Sequence, residues 1–370
     1  MKNEDPRAHL STPPPEYLAS GRASPVASPY SERKLVRGHT GALVISLDFE
    51  LHWGVRDHTP LDEAERARLL AARACIPRIL DLFEEFSVHA TWAVVGLLFA
   101  RSKEEAEAFT PEQPNYLDAR LNPYREQLGT DERDDPFHFA PSLIAQIAAR
   151  RGQEIASHSF AHYYCMEEGQ TAAHFEADLK SAVAIAANSG YTVRSYVFPR
   201  NQVKPGYLAS LERSGIRAYR GNESVGIKKA QSFAEQRRPW KRIGRLLDSF
   251  MDMHGDQTIA WPGRLALTSI PASRYLRPYH PAFRYLEPCL LRRIKKAMMQ
   301  AAEHGEIFHL WWHPEDFAGS SDENLRVLRR VLEMFDGYRA HCGMTSLSMT
   351  DVLSRIDCDH SDAQSPSRTP

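Results

Sequence analysis

The chain has 370 residues, 42% of them hydrophobic, and a formal net charge of −1 from 46 basic and 47 acidic side chains. That is enough apolar material for one large domain or two ordinary ones, and the interspersed charges argue against an extended nucleic-acid footprint. No apolar run approaches the ~20 residues of a membrane-spanning helix, and the charged, proline-rich N-terminus lacks the basic-then-apolar pattern of a secretory signal.

Residues 1–38, with Pro13-Pro14-Pro15, cannot bury enough apolar surface to offset their ordering entropy and are read as disordered, as is the tail 357–370. Order is expected over 39–356. Ala42-Leu43-Val44-Ile45-Ser46-Leu47 is a continuous apolar run that suits a strand covered on both faces, and it ends in Asp48-Phe49-Glu50-Leu51-His52-Trp53. Alternation lets Asp48 and Glu50 share one face. A helical pattern from about Leu61 to Phe86 follows, with Pro77 marking a kink or a break. Val88–Gly96 reads as a second buried strand, and 101–141 as a long polar insertion of the kind that forms functional rims or stays disordered.

Pro141–Arg151 is helical in pattern and leads through a short strand, Glu154–Ser157, into His158-Ser159-Phe160-Ala161-His162. Phe175–Asn188 is a further helix. Val193–Phe198 is a strand running into Pro199-Arg200-Asn201, Tyr207–Ser214 a helix, and Ile216–Arg220 a strand. A basic insertion is placed at 222–262. Leu265–Ile270 and Ile307–Trp312 supply two more strands around a helix at Leu290–Glu303; a helix at Asn324–Phe335 and a short closing strand at Thr345–Leu347 complete the series. Strands alternating with helices, with polar clusters at strand C-terminal ends, predict a parallel barrel or open α/β sheet with its site on that rim. Neither GxGxxG nor GxxxxGK[ST] is present, so nucleotide-binding versions lose weight.

Four strand-end clusters carry the chemistry: Asp48-Phe49-Glu50, His158-Ser-x-x-His162, Pro199-Arg200-Asn201 and His309-Leu-Trp-Trp312-His313-Pro314. The paired imidazoles can close on one ion, and a catalytic site wants about three protein ligands and an open position. In this order, over roughly 41–350, the clusters resemble the polysaccharide deacetylases (carbohydrate esterase family 4, the NodB-type domain), and in particular a cytoplasmic, signal-free branch. The family's adjacent Asp-Asp is here spaced by one residue, and its Arg-before-Pro order is reversed.

The resemblance implies a distorted (β/α) barrel of about seven parallel strands. It further implies a divalent metal held by Glu50, His158 and His162, with Zn²⁺ the default and Co²⁺, Mn²⁺ or Ni²⁺ compatible with the same donors. Asp48 would be the base that takes a proton from water, with Arg200 paired to it, and His313 the acid that protonates the leaving amine. His52, Trp53, Asn201 and Trp312 would meet the substrate, an N-acetylated amino sugar in a glycan or glycan precursor.

Other readings stand beside these. The histidines could be unrelated surface or core residues, Asp48 and Glu50 helix caps, Arg200 an ordinary ion-pair partner, and the tryptophans core. His309 is expected in the core, Cys165 is a minor candidate as an extra soft ligand, and Glu315 and Asp316 could cap a turn or pair with His313. The alternatives in function are a hydrolase of a small cyclic amide or ureide and a catalytically inactive carbohydrate-binding relative. A glycosidase pairing of Asp48 with Glu50 is disfavoured, because residues on one strand do not flank a glycosidic bond from two sides. The five cysteines, odd in number and dispersed, suit a reducing cytoplasm.

Overall fold

The computed structural model describes residues 39–223 and 258–364; the expected N-terminal segment 1–38, residues 224–257 of the second insertion and 365–370 lie outside them. The apolar run after Gly41 forms β1 (Ala42–Phe49), buried along its whole length. It is followed by β2 (Ala90–Val94), β3 (Gln153–Ser157), β4 (Ser195–Tyr196) and β5 (Ala218–Tyr219). Next come β6 (Thr268–Ser269), β7 (Arg274–Tyr275), β8 (Ile307–Trp312) and β9 (Thr345–Leu347). These strands make one sheet in the order β6-β5-β4-β3-β2-β1-β8-β7, with β9 added against β1. Every strand pairing in it is parallel.

β1 is the central strand. β8 covers one of its edges from Ala42 to Leu47, while the other edge is divided between β9, opposite Ala42–Val44, and β2, opposite Ser46–Phe49. β6 and β7 stand at opposite ends of the sheet yet are joined only by Ile270–Ser273. A link that short spans less than ~20 Å. The sheet therefore curls into a parallel half-barrel, as the strand–helix alternation predicts. Of its strands only β7 has no counterpart among the expected runs, because it is two residues long between Pro271 and Pro278 and offers no alternation to read.

Side-chain alternation gives the two faces different chemistry. Leu43, Ile45, Leu47 and Phe49 of β1 join the main core with the surrounding helices, and Phe308, Leu310 and Trp312 of β8 do the same. Ala42, Val44 and Ile307 join a second cluster with Met349, Val352, Leu353 and Ile356 of the last helix, Met349–Gln364. That helix plugs the start of the curl. Its docking also carries helical structure to Gln364, beyond the point where the tail 357–370 was expected to begin.

The helix Glu63–Glu85 starts at Asp62, whose side chain accepts from the Glu65 N–H. Pro77 lies inside it and does not end it. Leu69, Ala72, Ile76, Ile79, Leu80 and Phe83 bury one continuous stripe on both sides of the proline. Packing of that extent outweighs the ~3 kcal/mol an interior proline costs. The 101–141 connection is ordered: it carries a short helix, Lys103–Ala108, and two 3₁₀ turns, and the His52 N–H donates to Phe137 O at 3.3 Å.

Phe83 sits edge-on to both Trp92 and Trp312, with ring centroids 6.3 Å apart in each case. Phe83→Ala should cost about 3–5 kcal/mol in urea unfolding; a loss below about 1 kcal/mol would show that this helix is not a principal wall of the core.

Candidate metal centre

Since all strands run the same way, their C-terminal ends share one rim. Asp48 occupies the last turn of alternation on the inner face of β1, and Glu50 follows one residue beyond the strand. The Glu50 and Leu51 N–H groups both donate to Glu315 Oε1, at 3.0 and 2.6 Å, which fixes the turn. Gly54 leaves room for the Glu50 carboxylate, which a β-carbon there would strike.

Glu50 Oε1 lies 2.7 Å from His158 Nε2 and 3.2 Å from His162 Nε2. The two histidines come from the loop after β3, not from a helical turn, and His162 has φ 56°. The loop is clamped from behind by Asp178 of the helix Ala172–Asn188, whose two carboxylate oxygens accept the Phe160 and Ala161 N–H groups at 2.9 and 3.3 Å. Sequence reasoning missed Asp178; a lone acid on the buried stripe of that helix was its signal. Burial drives its carboxyl up to about 7 against the two N–H donors.

Burial alone would raise the Glu50 carboxyl, but the contacts with the His162 and His158 imidazoles and the nearby His313 hold it well below the ordinary carboxylate range. Burial depresses His162 to about 4 despite Glu50, so its ring is neutral at pH 7 and offers a lone pair. One carboxylate and two imidazole nitrogens converging within 4.8 Å is a donor set that fits a divalent cation. Cys165 belongs to no such cluster among the described residues; it is a buried thiol whose pKa burial pushes up.

The expected Arg200–Asp48 pair is replaced. Both Asp48 oxygens are taken by Arg220, through Nη1 and Nη2 at 2.6 Å each, and Arg220 also donates to Ser46 Oγ at 3.1 Å and Asn201 Oδ1 at 2.9 Å. Arg200, at φ 54°, instead donates to both oxygens of the buried Asp57 at 2.7 and 2.6 Å. The reversed Pro-Arg order turns its side chain to a different acid. Arg220 was legible as a charged residue closing a buried strand of the same sheet, but its strand was read without a role.

His313 follows β8. Its Nδ1 is 2.9 Å from Asp316 Oδ2, and its Nε2 is 3.9 Å from Asp48 Oδ2 and 4.0 Å from Glu50 Oε2. Tyr275 of β7 donates to the same Asp316 oxygen at 2.6 Å. Burial disfavours the imidazolium, but Asp316, Glu50 and Asp48 together raise its pKa to about 10. Of the two acids left open by the sequence, Asp316 is therefore the partner of His313, and Glu315 caps the Glu50 turn. Glu315 is itself pushed up to about 7, by burial and by Glu50.

The expected substrate contacts fare less well. Trp312 is fully buried and stacked on Phe317 at 5.7 Å, because its parity on β8 points it at the helices. Trp53 is buried with Nε1 donating to His138 O, and His52 is buried beside His138. Asn201 is at the rim, where it accepts from Arg220. His309 is in the core as expected, with Nε2 2.9 Å from Ser46 Oγ. Trp311 and Tyr275, whose ring centroids are 4.9 Å apart, are the half-buried aromatics beside His313.

The family model described as polysaccharide deacetylase matches residues 62–219, a span that contains His158, His162 and Arg200. No curated protein matches the sequence. A Mycobacterium smegmatis structure assigned as a polysaccharide deacetylase is 16% identical with a TM-score of 0.54, covering 88% of this chain and 93% of that one. A Pseudomonas aeruginosa PAO1 structure with the same assignment is 13% identical with a TM-score of 0.52, covering 86% and 91%. Puue allantoinase is 14% identical with a TM-score of 0.50, covering 88% and 91%. At such identities these likenesses speak for the fold.

The Asp48–Arg220 pair is wholly inside the curl, so breaking it strands a charge. Arg220→Met should destabilise the protein by about 3–5 kcal/mol, and adding Asp48→Asn to it should restore part of that loss. Equal stability of the single and double variants in denaturant titrations would mean that the two side chains are not coupled.

Proposed function

We propose that this chain is a member of the polysaccharide deacetylase family and a metal-dependent hydrolase that removes the acetyl group from an N-acetylated amino sugar. The observation that carries the reading is one rim on which the Glu50–His158–His162 donor set sits beside a guanidinium-held carboxylate, Asp48, and a carboxylate-held imidazole, His313. The three donors would hold a divalent cation, for which Zn²⁺ suits the nitrogen and oxygen ligation. Bound there, the ion supplies Lewis acidity to an amide carbonyl and acidifies a water at neutral pH.

The chain's own residues supply the rest. Asp48, its carboxylate plane set by the two Arg220 donors, takes a proton from the attacking water. His313 carries its proton on Nε2, toward the acids, because Nδ1 is engaged by Asp316; that proton goes to the nitrogen of the breaking C–N bond, giving acetate and a free amine. Trp311 and Tyr275, next to His313, offer faces on which a sugar ring stacks, a role expected from the sequence for Trp311 together with Trp312, Trp53 and His52. Five free cysteines favour a reducing compartment and hence a glycan precursor inside the cell.

His158→Ala and Glu50→Ala should each abolish binding of one equivalent of divalent metal, measured by elemental mass spectrometry. Asp48→Asn should keep the metal and lose about 10²-fold or more in acetate release from N-acetylglucosamine oligomers. Retained activity in Asp48→Asn would overturn the base assignment, and hydrolysis of allantoin in preference to every acetamide would move the reading to cyclic ureides.

The pH dependence separates acid from base. Asp316 raises the His313 pKa, so Asp316→Asn lowers it, and the proton on His313 is lost at a lower pH. The alkaline limb of kcat/KM should move down by about 1–3 units in that variant. An unmoved limb would exclude His313 as the proton donor.

A further inference from the structure

A second set of convergent donors lies outside the machinery above. His52, on the 3₁₀ turn Leu51–Gly54, meets Glu126 and His138 of the 101–141 connection, each offering a ligand atom within 4.8 Å of the others. The two rings face each other edge-to-face with centroids 5.2 Å apart, and both residues are almost completely buried. His52 Nδ1 and His138 Nε2 are buried nitrogens without a hydrogen-bond partner among the described residues. Leaving two such atoms unpaired costs free energy that a common ligand would recover.

His138 is also prepared as a ligand. Its Nδ1 is 2.8 Å from Asp135 Oδ2, the carboxylate–imidazole contact that fixes a ring's tautomer and leaves Nε2 as the lone-pair side. The ring is further held by Trp53, whose Nε1 donates to His138 O at 3.1 Å and whose own ring is 4.9 Å away. Arg68 is paired with Glu65, while Arg56 donates to the Arg120 and Leu121 carbonyls and keeps its charge; the carboxylates of Glu126 and Asp135 stand beside the two rings.

We propose that His52, Glu126 and His138 form a second divalent-cation site, of the nitrogen-rich kind that suits Zn²⁺, whose ion pins the 101–141 connection to the turn directly after Glu50. With three protein donors and room at the half-buried Glu126, the fourth position falls to water. The role is structural. It involves no bond making beyond coordination, and it does not depend on the hydrolase reading.

Zn²⁺ content after loading and exhaustive dialysis tests this. Wild type should hold about two equivalents, His158→Ala about one, and His158→Ala/His138→Gln none. Should the His138 variant fail to fold, Glu126→Gln replaces it, since that side chain lies at the edge of the cluster. In the His158→Ala background, added Zn²⁺ should raise Tm, and Glu126→Gln should remove the rise. A folded His158→Ala protein that binds no Zn²⁺ and shows no Tm shift overturns the proposal. A wild type that holds one equivalent in total, unchanged by His158→Ala and lost with His138→Gln, would instead leave this site standing and sink the metal centre at Glu50.

Discussion

The constraint on which the structure depends is the two-residue period of β1. A strand buried on both faces must send alternate side chains to different environments, and here one environment is the helix-packed core and the other the inside of a curled sheet. Leu43, Ile45, Leu47 and Phe49 occupy the first, while Ala42, Val44, Ser46 and Asp48 line the second. The inner face passes along the strand from methyl groups over the plug helix, to a hydroxyl, to a carboxylate. Glu50 extends the same series past the strand end. β8 repeats the gradient with Ile307, His309, Trp311 and His313. A one-residue slip of either strand would put Leu47 at the rim and Asp48 in the core, which is why the register along Ala42–Leu47 is tied on both edges.

Collecting charge in so dry a place is costly, and the protein offsets the cost locally. Asp48 has Arg220, Asp57 has Arg200, Glu50 has two imidazoles, and Glu315 and Asp178 each accept two backbone N–H groups. Backbone strain gathers at the same rim. Leu51, Ser159, His162, Arg200 and Asn201 all have φ between 48° and 66°, and all are non-glycine residues next to or within the candidate site. Left-handed residues of this kind cost about 1–3 kcal/mol each and persist where the surroundings over-determine them. Glu315 on the Glu50 turn and Asp178 behind the histidine loop are the groups that do so.

Much of this was legible in the chain. Long buried strands such as Ala42–Phe49 and Ile307–Trp312 carry a continuous apolar signal, and the polar residues that end them cannot belong to a core. The two-residue strand β7 carries almost none, whereas β4, β5 and β6 fall within the apolar runs Val193–Phe198, Ile216–Arg220 and Leu265–Ile270. Arg220 stood in view at the end of one such run, but its partner is named by which strands lie side by side, a fact of topology that no local pattern contains. Trp312 is the opposite case. Its parity with Leu310 and Phe308 already placed it on the core side, and Trp311, with the parity of His309 and His313, on the inner side. Motif proximity drew in both tryptophans, and parity separates them. Asp178 shows in the sequence only as a lone acid on a buried helix stripe and Glu315 as one of two acids after His313; the backbone N–H groups they hold have no signature of their own.

The two acids two residues apart show how position alone divides labour. Asp48 and Glu50 have the same charge and face the same way, yet one lies within the sheet and the other beyond it. Inside, Asp48 is within reach of a guanidinium rising from β5, and a rigid bidentate pair orients its lone pairs without removing them. Beyond the strand end, Glu50 has the longer side chain and enters the loop where two imidazoles converge, so its oxygen is presented to whatever ion those nitrogens accept. Exchanging the side chains would shorten the reach to the histidines and crowd the guanidinium. The spacing by one residue, which departs from an adjacent acid pair, thus keeps both carboxylates on the inner face, where adjacent residues on a regular strand would have sent one of them into the core.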